Sequence, residues 1–163
     1  MSSNTPLPKF WTEDDVLDAI RAADNESYTF LAMVAVRILA RMKAGRRENI
    51  IAIVCGPITN GGTLPGHEVM KNLSRFDRTI EHLESCGLLV FNQLPFENYL
   101  FRIRKRRPDE NPDILLESFY RPIFESGMVD IAYFLPGWQA SHGARWENNL
   151  VKRLGMPNLE DNA

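Results

Sequence analysis

Residues 49–55, NIIAIVC, decide the fold. The run is short, apolar and β-branched, and it stops at Gly56. That is the pattern of a strand buried on both faces, as inner strands of a parallel sheet are. Outward from it, GPITNGGTLPG (56–66) reads as a loop. A helix is expected over about 67–86, with Val69, Met70, Leu73, Phe76, Ile80 and Leu83 facing inward and Gly87 ending it. LLVFN (88–92) reads as a second strand. In residues 93–112 the segment NYLFRIR stays open between a strand and an extended lid, and RKRRPDENP reads as a polar loop. A helix over 113–126, a third strand over 129–135, the loop PGWQAS (136–141) and a last helix over 142–154 complete the pattern.

Alternating strands and helices imply an α/β fold, with a short parallel sheet of Rossmann or flavodoxin-like type and helices on both faces. Right-handed crossovers give a strand order such as 2-1-3. Ahead of this core, Pro6 and Pro8 keep the first residues extended. Thr12 is a good helix N-cap, with Asp15 three places on as a weakened capping box. Val16, Leu17, Ile20 and Ala23 read as the apolar stripe of this first helix. A second helix over about 27–43 shows Tyr28, Leu31, Val34, Ala35, Ile38, Leu39 and Met42 on one face, with Gly45 after it. The expected organisation is an arm and two helices over 1–48, packed on the core or on a partner chain, and an α/β domain over 49–163.

The chain has 163 residues and a formal net charge of −2. One domain with one real core fits that length. The absence of a basic excess argues against general nucleic-acid binding. No apolar run reaches the ~18 residues of a membrane span, and MSSNTPLPKFW lacks the pattern of a signal peptide. Cys55 and Cys86 show no metal-ligand spacing and read as two reduced core thiols. The expected location is therefore the cytoplasm.

In an open parallel sheet, ligands bind beyond the carboxyl ends of the strands near the switch point. The loops 56–66 and 136–141 both leave such ends. The first holds four glycines in eleven residues, which lets backbone N–H groups approach an anion or a sugar; it is neither a P-loop nor a clean GxGxxG, and an ordinary tight loop is the plain alternative. In the second, Ser141 sits where the last helix needs its N-cap, followed by Gly143. A helix start is an anion site, although a simple serine cap accounts for the same residue. Glu147 falls on the inward stripe with Ala144, Leu150, Val151 and Leu154. A carboxylate there costs free energy unless it is paired or used. It is either an edge residue paired with an Arg or Lys, or a group that attacks or stabilises a sugar anomeric carbon. Trp138 and Trp146 are core residues or base-stacking rings. His142 is an exposed residue or a phosphate contact, and His67 and His82 carry no motif. The run Arg102, Arg104, Lys105, Arg106, Arg107 is a solvated loop or a lid that adds positive charge to an anion pocket.

LPGWQASHGARWE (135–147) resembles the LPGW-x-x-S-x-GA-x-x-E segment of nucleoside 2-deoxyribosyltransferase-like proteins, and CGPITNGG (55–62) resembles the Gly-Pro loop after their first strand. The resemblance covers roughly 49–157. It implies Glu147 as the nucleophile at C1′ of a nucleoside or nucleotide. It also implies a substrate pocket made by Gly56, Pro57, Ile58, Asn60, Gly61, Gly62, Asp130, Trp138, Ser141 and Gly143. Serine six residues before the glutamate is the mark of the 5′-monophosphate N-glycosidase branch, because serine can donate to a phosphate that aspartate would repel. No metal or organic cofactor is implied, and a homo-oligomer (dimer or larger) is. Relatives often carry a Tyr where this chain has Ile53, and a helper Asp where it has Pro122, with Tyr120 or Arg121 nearby as substitutes. The closing strand of relatives after LG-x-P is not expected after Met156-Pro157. The expected function is cleavage or transfer at the N-glycosidic bond of a nucleoside 5′-monophosphate, by a hydrolase or a (deoxy)ribosyltransferase. The alternatives are a non-catalytic nucleotide-binding or sensing module, or an interaction protein.

Overall fold

The computed structural model describes residues 5–45, 49–59 and 65–160. Four parallel strands form one sheet in the order β2-β1-β3-β4. These are β1 (Ile51–Cys55), β2 (Leu89–Val90), β3 (Ile131–Phe134) and β4 (Asn158–Glu160). In β1 all five residues are buried, as a central parallel strand requires. Its register sets Ile51 beside Leu89 on one side and Cys55 beside Phe134 on the other. β4 corrects the sequence expectation: a strand does follow Pro157, pairing Ala132 with Asn158 and Phe134 with Glu160. Its residues are all exposed, so no apolar run announces it. Backbone pairing, begun by the Ala132 N–H donating to the Pro157 carbonyl at 3.0 Å, is what defines it.

Strand alternation divides the sheet residues between two cores. Ala52, Val54, Val90 and Leu135 face α3 (Gly66–Ser85), which covers one side with Phe76, Ile80 and Leu83. Met70 does not join that face and is exposed. Ile51, Ile53, Cys55, Ala132 and Phe134 face the larger core on the other side. There lie α1 (Glu13–Asp24) and α2 (Tyr28–Ala44). With them pack α4 (Glu97–Lys105), α5 (Asp113–Leu115), α6 (Arg121–Glu125) and α7 (His142–Arg153). The two N-terminal helices are thus part of the main core, and the whole apolar face expected for α2 is buried.

The stripe expected for α1 needs correction. Its buried residues are Asp15, Ala19, Ala22 and Ala23, while Leu17 and Ile20 are exposed. Alanines let α1 lie close on α2, and that close approach turns the larger side chains outward. The capping box does form: the Asp15 N–H donates to Thr12 Oγ1 at 3.3 Å, and the Thr12 N–H to Asp15 Oδ2 at 2.8 Å. Asp15 also accepts from Arg37 Nε at 2.9 Å and Arg41 at 2.8 Å.

NYLFRIR (98–104), open between strand and lid, is helical, while 106–112 form the polar loop expected of RKRRPDENP. A 3₁₀ turn at Leu94–Phe96 leads into α4, whose Phe96, Leu100 and Ile103 are buried at helical spacing. From α5 the chain widens into a π turn at Leu116–Tyr120 before resuming as α6. Pro122 sits in the first turn of α6 and has no N–H for the carbonyl four residues back, which a regular α-helix could not accommodate. Cys55 is buried, but Cys86 is exposed at the end of α3, not a core thiol. No helix among the described residues is long and apolar enough to cross a membrane.

Candidate functional site

A cavity of about 420 Å³ opens at the carboxyl ends of β1 and β2 and at the start of α7. This is where an open parallel sheet takes its ligands. Five of the residues expected from sequence line it: Gly56, Ile58, Ser141, Gly143 and Glu147. Pro57 is not in its wall. Asn60, Gly61 and Gly62 fall outside the described residues.

Two expected residues lie elsewhere. Asp130 precedes β3 and so stands at the opposite end of the sheet. There it accepts from the Ile51 N–H at 2.9 Å and from Lys43 Nζ at 2.5 Å. It joins α2 to the sheet. Trp138 turns inward against Phe134, ring centroids 5.3 Å apart, outside the cavity. Its place in a 3₁₀ turn after Gly137 (φ +82°) points the indole back at the sheet and not across the pocket. Trp146 is on the outer side of α7, donating to Glu117 at 3.2 Å with Arg121 over its ring.

Gly56 closes the floor. A Cβ there would stand 3.0 Å from Leu135 Cβ and 3.0 Å from its Cδ1, so a larger residue would have to push Leu135 back from the end of β1. That loop is held from the far side by Arg75, which donates to the Pro136 carbonyl at 2.8 Å.

Ser141 caps α7, accepting from the Ala144 N–H at 3.2 Å. Its hydroxyl proton remains available to a ligand. Glu147 is buried with 6% of its surface exposed. One of its oxygens has no partner among the described residues. Burial pushes its carboxyl up to about 8; a hydrogen bond with the Cys55 thiol opposes this, and the charge of Glu97 adds to it. The Cys55 thiol is in turn pushed well up by burial and by Glu147.

Tyr120, one of the two substitutes weighed for the helper Asp, lines the wall and Arg121 does not, while Glu97 and Gln93 carry no sequence motif. Glu97, at the start of α4, is raised by burial, against the hydrogen bond of Tyr120 and the charge of Arg104. The Tyr120 hydroxyl, carried on the π turn, donates to Glu97 Oε1 at 3.3 Å. Gln93 is buried beneath them, its Nε2 donating to the Val54 carbonyl at 2.7 Å. The helical spacing of Phe96, Leu100 and Ile103 was the signal that would have revealed α4, and with it Glu97 one residue from the buried edge.

The basic run splits in the structure. Arg102 pairs with Asp24 at 2.7 Å on the outside. Arg104 and Arg107 reach the cavity wall. Arg107 is tied to Glu110 at 3.2 Å and to the Glu26 carbonyl at 2.6 Å. The Arg104 guanidinium has no hydrogen bond or ion pair among the described residues. The turn between α1 and α2 thus anchors the basic rim, and Tyr28 of α2 lines the same cavity. His142 is at the mouth, 2.5 Å from Asp113.

The arrangement is bipolar: Glu97 and Glu147 contribute carboxyl groups to the wall, and Arg104, Arg107 and the start of α7 contribute positive charge. Among the described residues no cluster of three or more His, Cys, Asp or Glu could hold a metal ion. The fold and this pocket define a parallel α/β protein with a small-molecule-sized cavity at its switch point. No family model matches the chain, and no curated protein or solved structure matches it.

Proposed function

We propose that the protein cleaves or transfers at the N-glycosidic bond of a nucleoside 5′-monophosphate, with Glu147 as nucleophile. The observation that carries this is Glu147 itself: a buried carboxyl on α7, with a partnerless oxygen, in the wall of a cavity that also contains Ser141 six residues earlier. A buried carboxyl with one oxygen unpartnered and no cation beside it costs folding free energy. Such costs are tolerated where the group is used.

The cavity volume is within the range of small-ligand pockets. Its Ser141 hydroxyl and the first-turn amides of α7 suit a phosphate. Arg104 and Arg107 supply neutralising charge. The sugar then lies between that end and Glu147, where carboxylate attack on C1′ expels the base. Water as acceptor gives free base and a pentose 5-phosphate; a second base gives transfer. The resemblance to nucleoside 2-deoxyribosyltransferase-like proteins agrees with this assignment. It also motivates the homo-oligomeric state that belongs to the same proposal, which sedimentation of the purified chain tests; the cytoplasmic location proposed with it rests on free thiols at Cys55 and Cys86.

One observation favours a second reading, nucleotide binding without turnover. A carboxyl raised to about 8 is protonated in the empty pocket at neutral pH and is then a hydrogen-bond donor instead of a nucleophile. Base release measured across the nucleoside monophosphates, with Glu147→Ala alongside, separates the two. Release by the native chain that disappears in the variant is the expected result. Release that survives the substitution removes Glu147 from the mechanism. Calorimetric binding without release establishes the second reading.

A further inference from the structure

The cavity contains a second carboxyl group, and its setting is unlike that of a structural acid. Glu97 enters from α4, on a different wall from Glu147 on α7. It forms no ion pair among the described residues. Its side chain accepts from the Tyr120 phenol at 3.3 Å. The cation whose charge acts on it is Arg104, which also lines the cavity. The other acid of the wall, Glu110, is engaged by Arg107 at 3.2 Å, and His142 by Asp113 at 2.5 Å. Tyr28 and Cys55, the remaining titratable neighbours, are held in their neutral forms by burial. Two of the three carboxyl groups lining this cavity, Glu97 and Glu147, therefore form no ion pair among the described residues, and the charge of Glu97 acts on Glu147.

We infer that Glu97 is the acid–base residue of the site, giving a proton to the departing base and later taking one from the acceptor. This rests on the reading of Glu147 as nucleophile. In the first step a Glu147 oxygen lone pair forms the bond to C1′. The C1′–N bond breaks, its electron pair stays on the base, and the base takes the Glu97 proton. In the second step the oxygen of water bonds to C1′, the ester bond to Glu147 breaks with its pair returning to the carboxylate, and the water proton passes to Glu97. Both groups end as they began. Facing carboxyl groups divide nucleophile and acid–base roles in this way at sugar centres generally. Tyr120 is a positioning residue that orients the Glu97 carboxyl through its hydroxyl.

The reactive form has one proton on the pair. A pair of this kind gives a bell-shaped rate profile, with the upper limb where the last proton leaves, at about 8. A lone Glu147 nucleophile would instead gain activity through that pH. Tyr120→Phe keeps the bell but moves its limbs.

The decisive experiment compares Glu97→Gln with the native chain on two substrates. One is a nucleoside 5′-monophosphate; the other is a 4-nitrophenyl pentoside 5-phosphate, whose nitrophenolate leaves without a proton. The variant should release base roughly 100- to 10,000-fold more slowly. It should still give a burst of nitrophenolate within about tenfold of native, with turnover restored by azide, which attacks C1′ without needing a base. Glu97→Asp should fall between the two and guards against a folding artefact. Equal losses on both substrates, or native base release by Glu97→Gln, overturn the inference while leaving Glu147 as nucleophile. No release from either substrate by the native chain overturns the nucleophile reading, and this inference with it.

Discussion

Asp15 and Glu147 are both buried carboxyl groups, one in the N-terminal helices and one in the cavity, and they have opposite fates. Asp15 is completely covered, yet it receives the Thr12 amide, Arg37 and Arg41. Burial alone would raise its pKa; those hydrogen bonds outweigh burial and leave it lowered. Glu147 has a thiol and a neighbouring acid instead of cations, and it is raised to about 8. A charge that the fold depends on is given partners. At Glu147 the fold supplies no such cation.

The largest expected effect comes from breaking the unpaired member. Glu147→Gln should reduce base release by at least ~1,000-fold, the loss typical of a missing nucleophile or its equivalent, measured by chromatography of the freed base. The same substitution should raise the melting temperature. The folded state holds the Glu147 proton more tightly than the unfolded chain, whose glutamate titrates near ~4.3. The penalty therefore grows as pH rises from there to about 8 and then levels off. The gain should be of the order of a few kcal/mol at pH 9 and nearly absent at pH 4.

The paired member should behave oppositely. Asp15→Asn strands Arg37 and Arg41 and weakens the cap, which should cost about 3 kcal/mol at neutral pH by denaturant titration, with nucleotide affinity unchanged. Its folded pKa is depressed, so its stabilisation is present above the unfolded value near ~3.9 and is lost as pH falls through the lower folded value. Chains carrying Asp15→Asn and native chains should therefore converge in stability in acid. If instead they diverge there, the hydrogen-bond account of Asp15 is wrong.

A smaller effect separates the rim from the interior. Arg104→Ala should weaken binding of a nucleoside 5′-monophosphate by about 10- to 100-fold while leaving the matching nucleoside within twofold, since a charge-assisted hydrogen bond contributes about 1.5–3 kcal/mol. Equal loss for both ligands would mean that Arg104 does not meet the phosphate. Smallest of all, Asp130→Asn should leave nucleotide affinity unchanged and lower stability by about 1 kcal/mol, by weakening the Lys43 pair at the far end of the sheet.

The parts of this molecule that sequence reveals are those in which one periodicity has one explanation. The β-branched run of β1 and the apolar face of α2 are of that kind, and both are buried as read. Ser141 as a cap and Glu147 on an inward stripe followed from helix geometry alone, and both line the cavity. What was hidden depended on partners distant in sequence. Leu17 and Ile20 looked like core until α2 accepted the alanine face of α1 instead. Asp130 looked like a pocket residue until its place before β3 put it at the wrong end of the strand. β4 has no apolar signature, because an exposed edge strand is defined by backbone pairing. Glu97 escaped because the arginines around α4 obscured the three buried residues that mark it as a helix.

The central claim is that the carboxyl left unpaired in the cavity forms a bond to the sugar. It is tested most directly by trapping that bond. A nucleoside 5′-monophosphate with fluorine at C2′ destabilises the oxocarbenium-like transition state and slows release of the sugar from the enzyme. Mass spectrometry of the treated protein and its peptides should show one fluoropentosyl phosphate per chain, attached at Glu147 and absent from Glu147→Gln. Base release with an adduct at another residue would contradict the account, as would release from a protein that never acquires an adduct.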